Sequence, residues 1–436
     1  MTDQPFAICL HEADNVLVAL RAVPAGTGLP GGITAREPIP AGHKIALRDV
    51  AAGEAILKYG QIIGTTTAAI PAGAHVHVQN LGMGAHKQDY AFGTAAKPLP
   101  AAETEAEFLG FHRPSGRVGT RNYLGILTSV NCAGSVARFI AEAAQRADLL
   151  AEFPNVDGIV PIVHGSGCGM SGKGEGYETL FRTLAGYGHS ANFGAILMVG
   201  LGCEVMQIPD LIDRKALKDS ARFRYMTIQH EGGTKATVDK GLGLLRDLAV
   251  EANKATRAPA SARHLVLGMQ CGGSDGYSGI TANPALGVAS DLLVRHGGTS
   301  ILSETSEIYG AEHLLTRRAV DEGTGRKIVD LIEWWEDYTA RNFGEMDNNP
   351  SPGNKRGGLT TILEKSLGAV AKGGSAPLSG VYKFAEPIDR AGFVFMDSPG
   401  YDPCSVTGQT ASGANLIAFT TGRGSVSGYQ PVPGIK

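Results

Sequence analysis

Hydrophobic positions change their spacing once along this chain, and the change divides it. From residue 6 to about 95, short apolar or β-branched runs (VLVALRAV, ITAREPI, KIALRDV, AILKYG, IIGTTTAAI, HVHVQN) alternate with PAG and AAG turns. That rhythm predicts an all-β module over residues 1–94. Residues 95–110, opening AAKPLPAAETEAEF, have no apolar period and read as a linker. From Phe111 the runs lengthen and alternate with helical spacing. Strands are predicted at 123–130, 158–164, 194–201, 223–229, 264–270, 299–304, 392–397 and 415–421. Between them lie helices such as SVARFIAEAAQRADLLAEF and ATVDKGLGLLRDLAVEANKATR. This order implies an α/β region with a mostly parallel sheet covered on both faces. A break near 255–264 divides it into units 111–258 and 259–436. The stretch 340–375 is polar and glycine-rich without period, and reads as an active-site loop.

Composition narrows the class. Of 436 residues 43% are hydrophobic and only 19% charged, which describes a globular protein with a sizeable core. A net charge of −3 offers no basic field for nucleic acid and no polybasic patch for a membrane surface. No apolar run approaches the ~20 residues of a membrane span, and the start MTDQPFAICLHEADN lacks a signal-peptide pattern. Six dispersed cysteines make no disulfide framework, so a cytoplasmic location is expected. Sixty glycines are roughly twice the usual ~7% share, many in strand-to-helix turns.

Four cysteines sit where an apolar run gives way to a small-residue turn: Cys132, Cys168, Cys203 and Cys271. Parallel strands deliver their carboxyl ends to one sheet edge, so four thiols released there can converge on one metal. Thiolate donors favour iron over magnesium or calcium. The plain alternative is that some are buried small hydrophobes.

Other segments offer polar chemistry. QCGGSDGYSGITANPALG follows a strand and opens a helix, an anion-binding geometry to which Ser274, Asp275 and Asn283 add contacts. It is not a GxGxxG fingerprint, which weighs against a nucleotide-binding oxidoreductase. Its ordinary reading is a glycine turn with an Asp cap. Glu304 and Glu307 stand just beyond a strand, suited to a divalent cation or to acid and base roles. Asn354 and Lys355 lie on NNPSPGNKRGG, where a lysine can stabilise an enolate or, desolvated, act as base; a solvated basic loop is the alternative. Arg423 on the last glycine loop suits a bidentate carboxylate clamp. In the module, alternation places His75 and His77 on one strand face, and His43 and Lys44 can share their cleft. The histidine spacing is metal-like; a hydrogen-bonded surface pair is its ordinary reading.

DNVLVALR, GHKIALRDV, KYGQIIG, HVHVQN, GRVGTRNYLGILTSVNCAGS, MVGLGCE, CGGSDGYSGITANP, NNPSPGNKRGG and TTGRGS together resemble the altronate/galactarate dehydratases, sugar-acid hydro-lyases. The resemblance implies an N-terminal β-clip (SAF) domain, then an α/β catalytic region with a Rossmann-like variant and a dimerisation segment, hence a homodimer. It implies iron, or another divalent metal, and conversion of an aldonate or aldarate to a 2-keto-3-deoxy acid and water. The four cysteines align with family cysteines. Gln79 stands where the family usually has a third histidine, and the chain stops at PVPGIK before a further segment that members generally carry. Iron is expected either as a [4Fe–4S] cluster on three cysteines with one open position, or as Fe2+ on Cys, His164 and Glu204. Lys355 is expected as base ahead of His164 and Glu304. Arg423, Asn283 and the 272–276 amides are expected to hold carboxylates. Rivals are a sulfolactate sulfo-lyase and a non-catalytic sugar-acid-binding protein.

Overall fold

In the N-terminal module the repeated xAG turns place Gly42, Gly53 and Gly73 at φ +79°, +81° and +80°. L side chains rarely adopt that region, which is why each turn carries glycine. A computed structural model of the chain describes residues 5–84, 88–214, 217 and 220–436, so the expected module 1–94 falls partly outside it. Its strands are β1 (Ala7–Ile8), β2 (Val16–Ala19), β3 (Lys44–Ala46), β4 (Ala55–Lys58), β5 (Gln61–Thr66), β6 (His75–Val76) and β7 (Leu81–Gly82). They form two antiparallel sheets, ordered β1-β2-β3-β6 and β4-β5-β7.

β8 (Glu107–His112) and β9 (Val118–Gly119) follow. Residues 107–110, expected as linker, are therefore strand. The middle unit runs β10 (Tyr123–Thr128), α1 (Gly134–Arg146), β11 (Gly158–Ile162), α2 (Glu175–Gly188), β12 (Phe193–Gly200), α3 (Ile208–Asp213), β13 (Phe223–Thr227) and α4 (Thr234–Asn253). Its sheet, β11-β10-β12-β13, is parallel at every pair. All eight residues of β12 are buried, the continuous apolar run typical of a covered parallel strand. β14 (Ala258–Ser261) then pairs antiparallel with β8, so entry and exit of this unit are tied together.

The C-terminal unit comprises β15 (Val266–Gly272), α5 (Ala282–Arg295), β16 (Thr299–Ser303), α6 (Glu312–Thr316), α7 (Glu322–Arg341), α8 (Pro352–Arg356) and α9 (Ile362–Val370). It closes with β17 (Leu378–Tyr382), β18 (Gly392–Met396), α10 (Asp402–Ser412), β19 (Leu416–Thr421) and β20 (Gly434–Ile435). The sheet order is β17-β18-β16-β15-β19-β20, again parallel throughout. The expected loop at 340–375 instead carries two helices, α8 and α9. Every residue of α9 is buried, so it shows no polar face and no period.

One apolar core joins the module to this unit: Val16, Ile56, Ile63 and Val76 pack in one cluster with Met269, Leu302, Phe393 and Phe395. Charge is buried at the same junction. Lys44 of β3 and Lys58 of β4 both reach Glu364 of α9, each at 2.8 Å, with all three side chains fully enclosed. Glu364 also accepts from the Thr360 amide and hydroxyl. Burial opposes its charge, but the two ammonium groups outweigh that and hold Glu364 ionised far below the usual carboxylate range.

Removing one partner of such a group strands the others. Glu364→Gln leaves two ammonium groups without a counter-charge and is expected to cost about 3–5 kcal/mol, read as a lowered denaturant midpoint. Replacing all three at once by leucine or methionine is expected to recover most of that loss.

Candidate active site

In an open parallel sheet, ligands bind beyond the carboxyl ends of the strands where strand order reverses. Here that point lies between β15, whose successor β16 is on one side, and β19 on the other. A cavity of about 550 Å³ opens there, lined among others by Cys271, Ser274, Glu307, Asn349, Asn354, Lys365, Asp402 and Arg423. Its residues come from the ends of β15, β16, β18 and β19 and from α8 and α9.

Paired charges form its base. Lys365 donates to Glu307 at 2.7 Å and to Asn349 at 3.0 Å, while Asn349 donates to Glu307 at 2.9 Å. Burial disfavours the Lys365 ammonium, yet Glu307 outweighs it and raises its pKa. Lys372 is fully enclosed with Nζ 3.0 Å from the Cys271 sulfur. Burial again opposes its charge, and Cys271 and Glu304 push it up to about 12. Both lysines are thus held as cations.

Glu304 follows β16 in a left-handed conformation, φ +74°, which a non-glycine residue adopts only under constraint. Its amide donates to Ser398 Oγ, and its side chain is turned inside. Burial, then the charge of Glu307, lifts its pKa well above the ordinary carboxylate range. Asp402 is raised by the same two causes in the same order. Oε2 of Glu304 and Oε2 of Glu307 are buried without a hydrogen-bond partner among the described residues. The site therefore sets two carboxyl groups of raised pKa, Glu304 and Asp402, beside fixed cations.

Of the residues expected to hold substrate, Ser274, Asn354 and Arg423 line the cavity. Asn354 caps α8 through Ser351 and donates to the Ser274 carbonyl, fixing one wall. Arg423 makes no hydrogen bond or ion pair among the described residues, which leaves its guanidinium free for a ligand. Asp275 is a turn cap: its Oδ1 accepts from Tyr277 N, Ser278 N and Ser278 Oγ. Asn283 is spent on Gly368 O and Thr420 Oγ1. Both line only a smaller recess beside the cavity, with Tyr59 of the module.

Lys44 cannot bind substrate, because its three N–H groups are used on Gly358 O and both oxygens of Glu364. Lys355, the expected base, is half-buried on α8 and does not line the cavity. Lys365 lines the cavity instead, paired with Glu307, and Lys372 lies against Cys271. They were missed because their charges sit inside a run, ILEKSLGAVAK, with no polar face. Charges within so apolar a run were the available signal.

The four cysteines are divided. Cys132, Cys168 and Cys203 follow β10, β11 and β12 at one edge of the middle sheet and are exposed. Cys271 is buried in the other sheet against Lys372. Among the described residues no three of these sulfurs lie within 4.8 Å of one another, the spacing of ligands on a single ion, and Cys271 stands apart from the other three in a second sheet. His164, expected as base or ligand, spends Nε2 on Thr128 O and Nδ1 on Ser166 N. Glu204 likewise accepts from Ser129 Oγ and the amides of Leu201 and Gly202. Both stitch together the loops that carry the exposed thiols.

His43, by contrast, does meet His75 and His77: their ligand nitrogens all lie within 4.8 Å of one another, the one such group among the described residues.

Comparison with known proteins places this architecture. Three family profiles match in order: the altronate/galactarate dehydratase SAF domain over residues 5–84, the D-galactarate dehydratase/altronate hydrolase second domain over 110–253, and the D-galactarate/altronate dehydratase C-terminal domain over 262–436. Galactarate dehydratase (L-threo-forming) of Escherichia coli K12 is 38% identical over all of this chain and 85% of its own length. Altronate dehydratase of Bacillus subtilis 168 is 35% identical, covering 98% of this chain and 86% of the relative. The beta subunit of a (2R)-sulfolactate sulfo-lyase from Chromohalobacter salexigens is 30% identical over 76% of this chain and 81% of that one. The chain belongs to the D-galactarate/altronate dehydratase family.

The division of thiols has a direct readout. In the native protein, Cys132, Cys168 and Cys203 are expected to react with a thiol reagent within the mixing time of a peptide-mapping experiment. Cys271 is expected to react only on unfolding. Labelling of Cys271 at the rate of the other three would contradict its placement.

Proposed function

We propose that this chain removes water from a sugar acid, an aldonate or aldarate of the altronate or galactarate class, giving a 2-keto-3-deoxy acid. The observation that carries the reading is one cavity lined by Arg423, which has no partner among the described residues, and by the buried Lys365–Glu307 pair. Family membership over the full length supports it.

Dehydration begins with loss of the weakly acidic proton next to the substrate carboxylate, which loads negative charge onto that carboxylate. Arg423 would clamp it in a bidentate pair, and the Lys365 ammonium would face the growing charge; such fixed donors act where charge develops. The unpartnered Oε2 of Glu307 is the acceptor assigned to the proton. Asp402, with Glu304 behind it, keeps a proton for the departing hydroxyl, so that the C–O bond breaks to release water and the enol relaxes to the ketone. Iron is read for this chain from the family resemblance; Cys132, Cys168 and Cys203 share one sheet edge, while Cys271 stands apart beside Lys372.

Three finer readings go with this one. The six-stranded sheet is read as a Rossmann-like variant, the protein as a homodimer, and its compartment as the cytoplasm. The first two come from the family resemblance and the third from the pattern of cysteine use.

An anaerobic panel of aldonates and aldarates, with sulfolactate included, tests the activity by detection of 2-keto-3-deoxy product. Sulfite from sulfolactate with no keto product from any sugar acid would select the sulfo-lyase chemistry named for the third relative. Glu304→Gln is expected to fold and to lose about 10²–10⁴-fold in turnover. Since the raised pKa of Glu304 belongs to the active protonated form, wild-type activity should fall as pH rises through it. The part of that alkaline limb due to Glu304 should vanish from the residual activity of the variant, leaving the part due to Asp402.

A further inference from the structure

The histidine group belongs to the module and does not line the cavity. We propose that His43, His75 and His77 form a site for one divalent transition-metal ion, at the contact between the module and α8. The proposal stands independently of the dehydratase reading.

The geometry is already close to a coordination shell. The three ring centroids are 4.6–5.3 Å apart, and the donor nitrogens share a 4.8 Å neighbourhood. His43 Nε2 lies 3.2 Å from the Arg356 carbonyl, which can only accept, so that nitrogen carries the proton. The tautomer leaves His43 Nδ1 with a lone pair, aimed at His75 Nε2 2.9 Å away. A backbone carbonyl holding the far nitrogen is the usual outer-shell partner of a metal-bound imidazole. His77 Nδ1 is buried with no hydrogen-bond partner among the described residues. A closed hydrogen-bonded trio would not leave it so, since an orphaned buried polar atom costs about 1–3 kcal/mol. A cation in the common space satisfies it.

The strand end is built to hold these rings. Asn80 accepts from the His77 amide and donates to the His75 carbonyl, pinning HVHVQN. Gln79 Nε2 lies 3.4 Å from that same His75 carbonyl. Burial lowers the pKa of all three rings, which keeps them neutral and able to ligate near pH 7. Three imidazoles suit zinc, ferrous iron or cobalt rather than magnesium or calcium, and leave a coordination position open. α8 supplies the Arg356 carbonyl on one side and the cavity-lining Asn354 on the other.

The full-length protein, stripped with chelator, should take up one equivalent of Zn2+ or, anaerobically, Fe2+ by titration calorimetry and elemental analysis. His77→Ala and His75→Ala should each weaken uptake by more than the roughly 10–100-fold that loss of an outer-shell partner costs. A Cys132→Ser/Cys168→Ser/Cys203→Ser variant should keep it. The Co2+ spectrum of the wild-type protein reads the donors without any variant: weak visible bands for nitrogen ligation, intense near-ultraviolet absorption for thiolate. Failure to bind any of these ions, unchanged affinity in both histidine variants, or a thiolate spectrum would each overturn the proposal.

Discussion

The buried Lys44–Glu364–Lys58 triad is the constraint from which the rest of the arrangement follows. Three charges withdrawn from water are tolerable only with close, well-directed partners, because the cost of burying an unpaired one exceeds most single contributions to stability. The triad therefore fixes where β3 and β4 sit against α9. Apolar contact alone would allow sliding between the module and the C-terminal unit, since hydrophobic attraction is non-directional. Glu364 admits one register. From that register follow the placement of Tyr59 at the recess beside the cavity and the seating of His43 on the Arg356 carbonyl.

The parallel sheet supplies the second determinant. Six strands pointing one way bring residues far apart in sequence to one edge: Cys271 and Ser274 from β15, Glu304 and Glu307 from β16, Asp402 after β18, Arg423 after β19. No local motif could have gathered them. The middle unit repeats the device with Cys132, Cys168 and Cys203, but its edge presents exposed thiols braced by His164 and Glu204 rather than a cavity.

How much was legible in the sequence follows from burial. The eight strands expected from Phe111 onward all correspond to observed strands, because a covered parallel strand writes an unbroken apolar run. β17 was missed: as an edge strand in KGGSAPLSGVYKF it is short and glycine-flanked. α9 was taken for loop because a helix buried on every side has no amphipathic period, and its Glu364 and Lys365 gave it a polar look. The same misreading hid Lys365, the lysine that lines the cavity where Lys355 was expected. Strand ends were readable but sheet membership was not, so the four cysteines looked equivalent when Cys271 belongs to another sheet. The histidines were readable because strand alternation is local, placing His75 and His77 on one face without knowledge of the fold.

α9 joins these threads. Glu364 and Lys365 are adjacent in sequence, and successive residues of a helix point about 100° apart. One side chain turns to the module and anchors it; the next turns to the cavity and meets Glu307. Neither can move without the other, since a rotation of the helix that relieved one buried pair would break the second. The position of the cavity ammonium is thereby set by a contact in another domain. That coupling gives a physical reason for the module to be part of the machine rather than an appendage: it holds the helix that holds the charge.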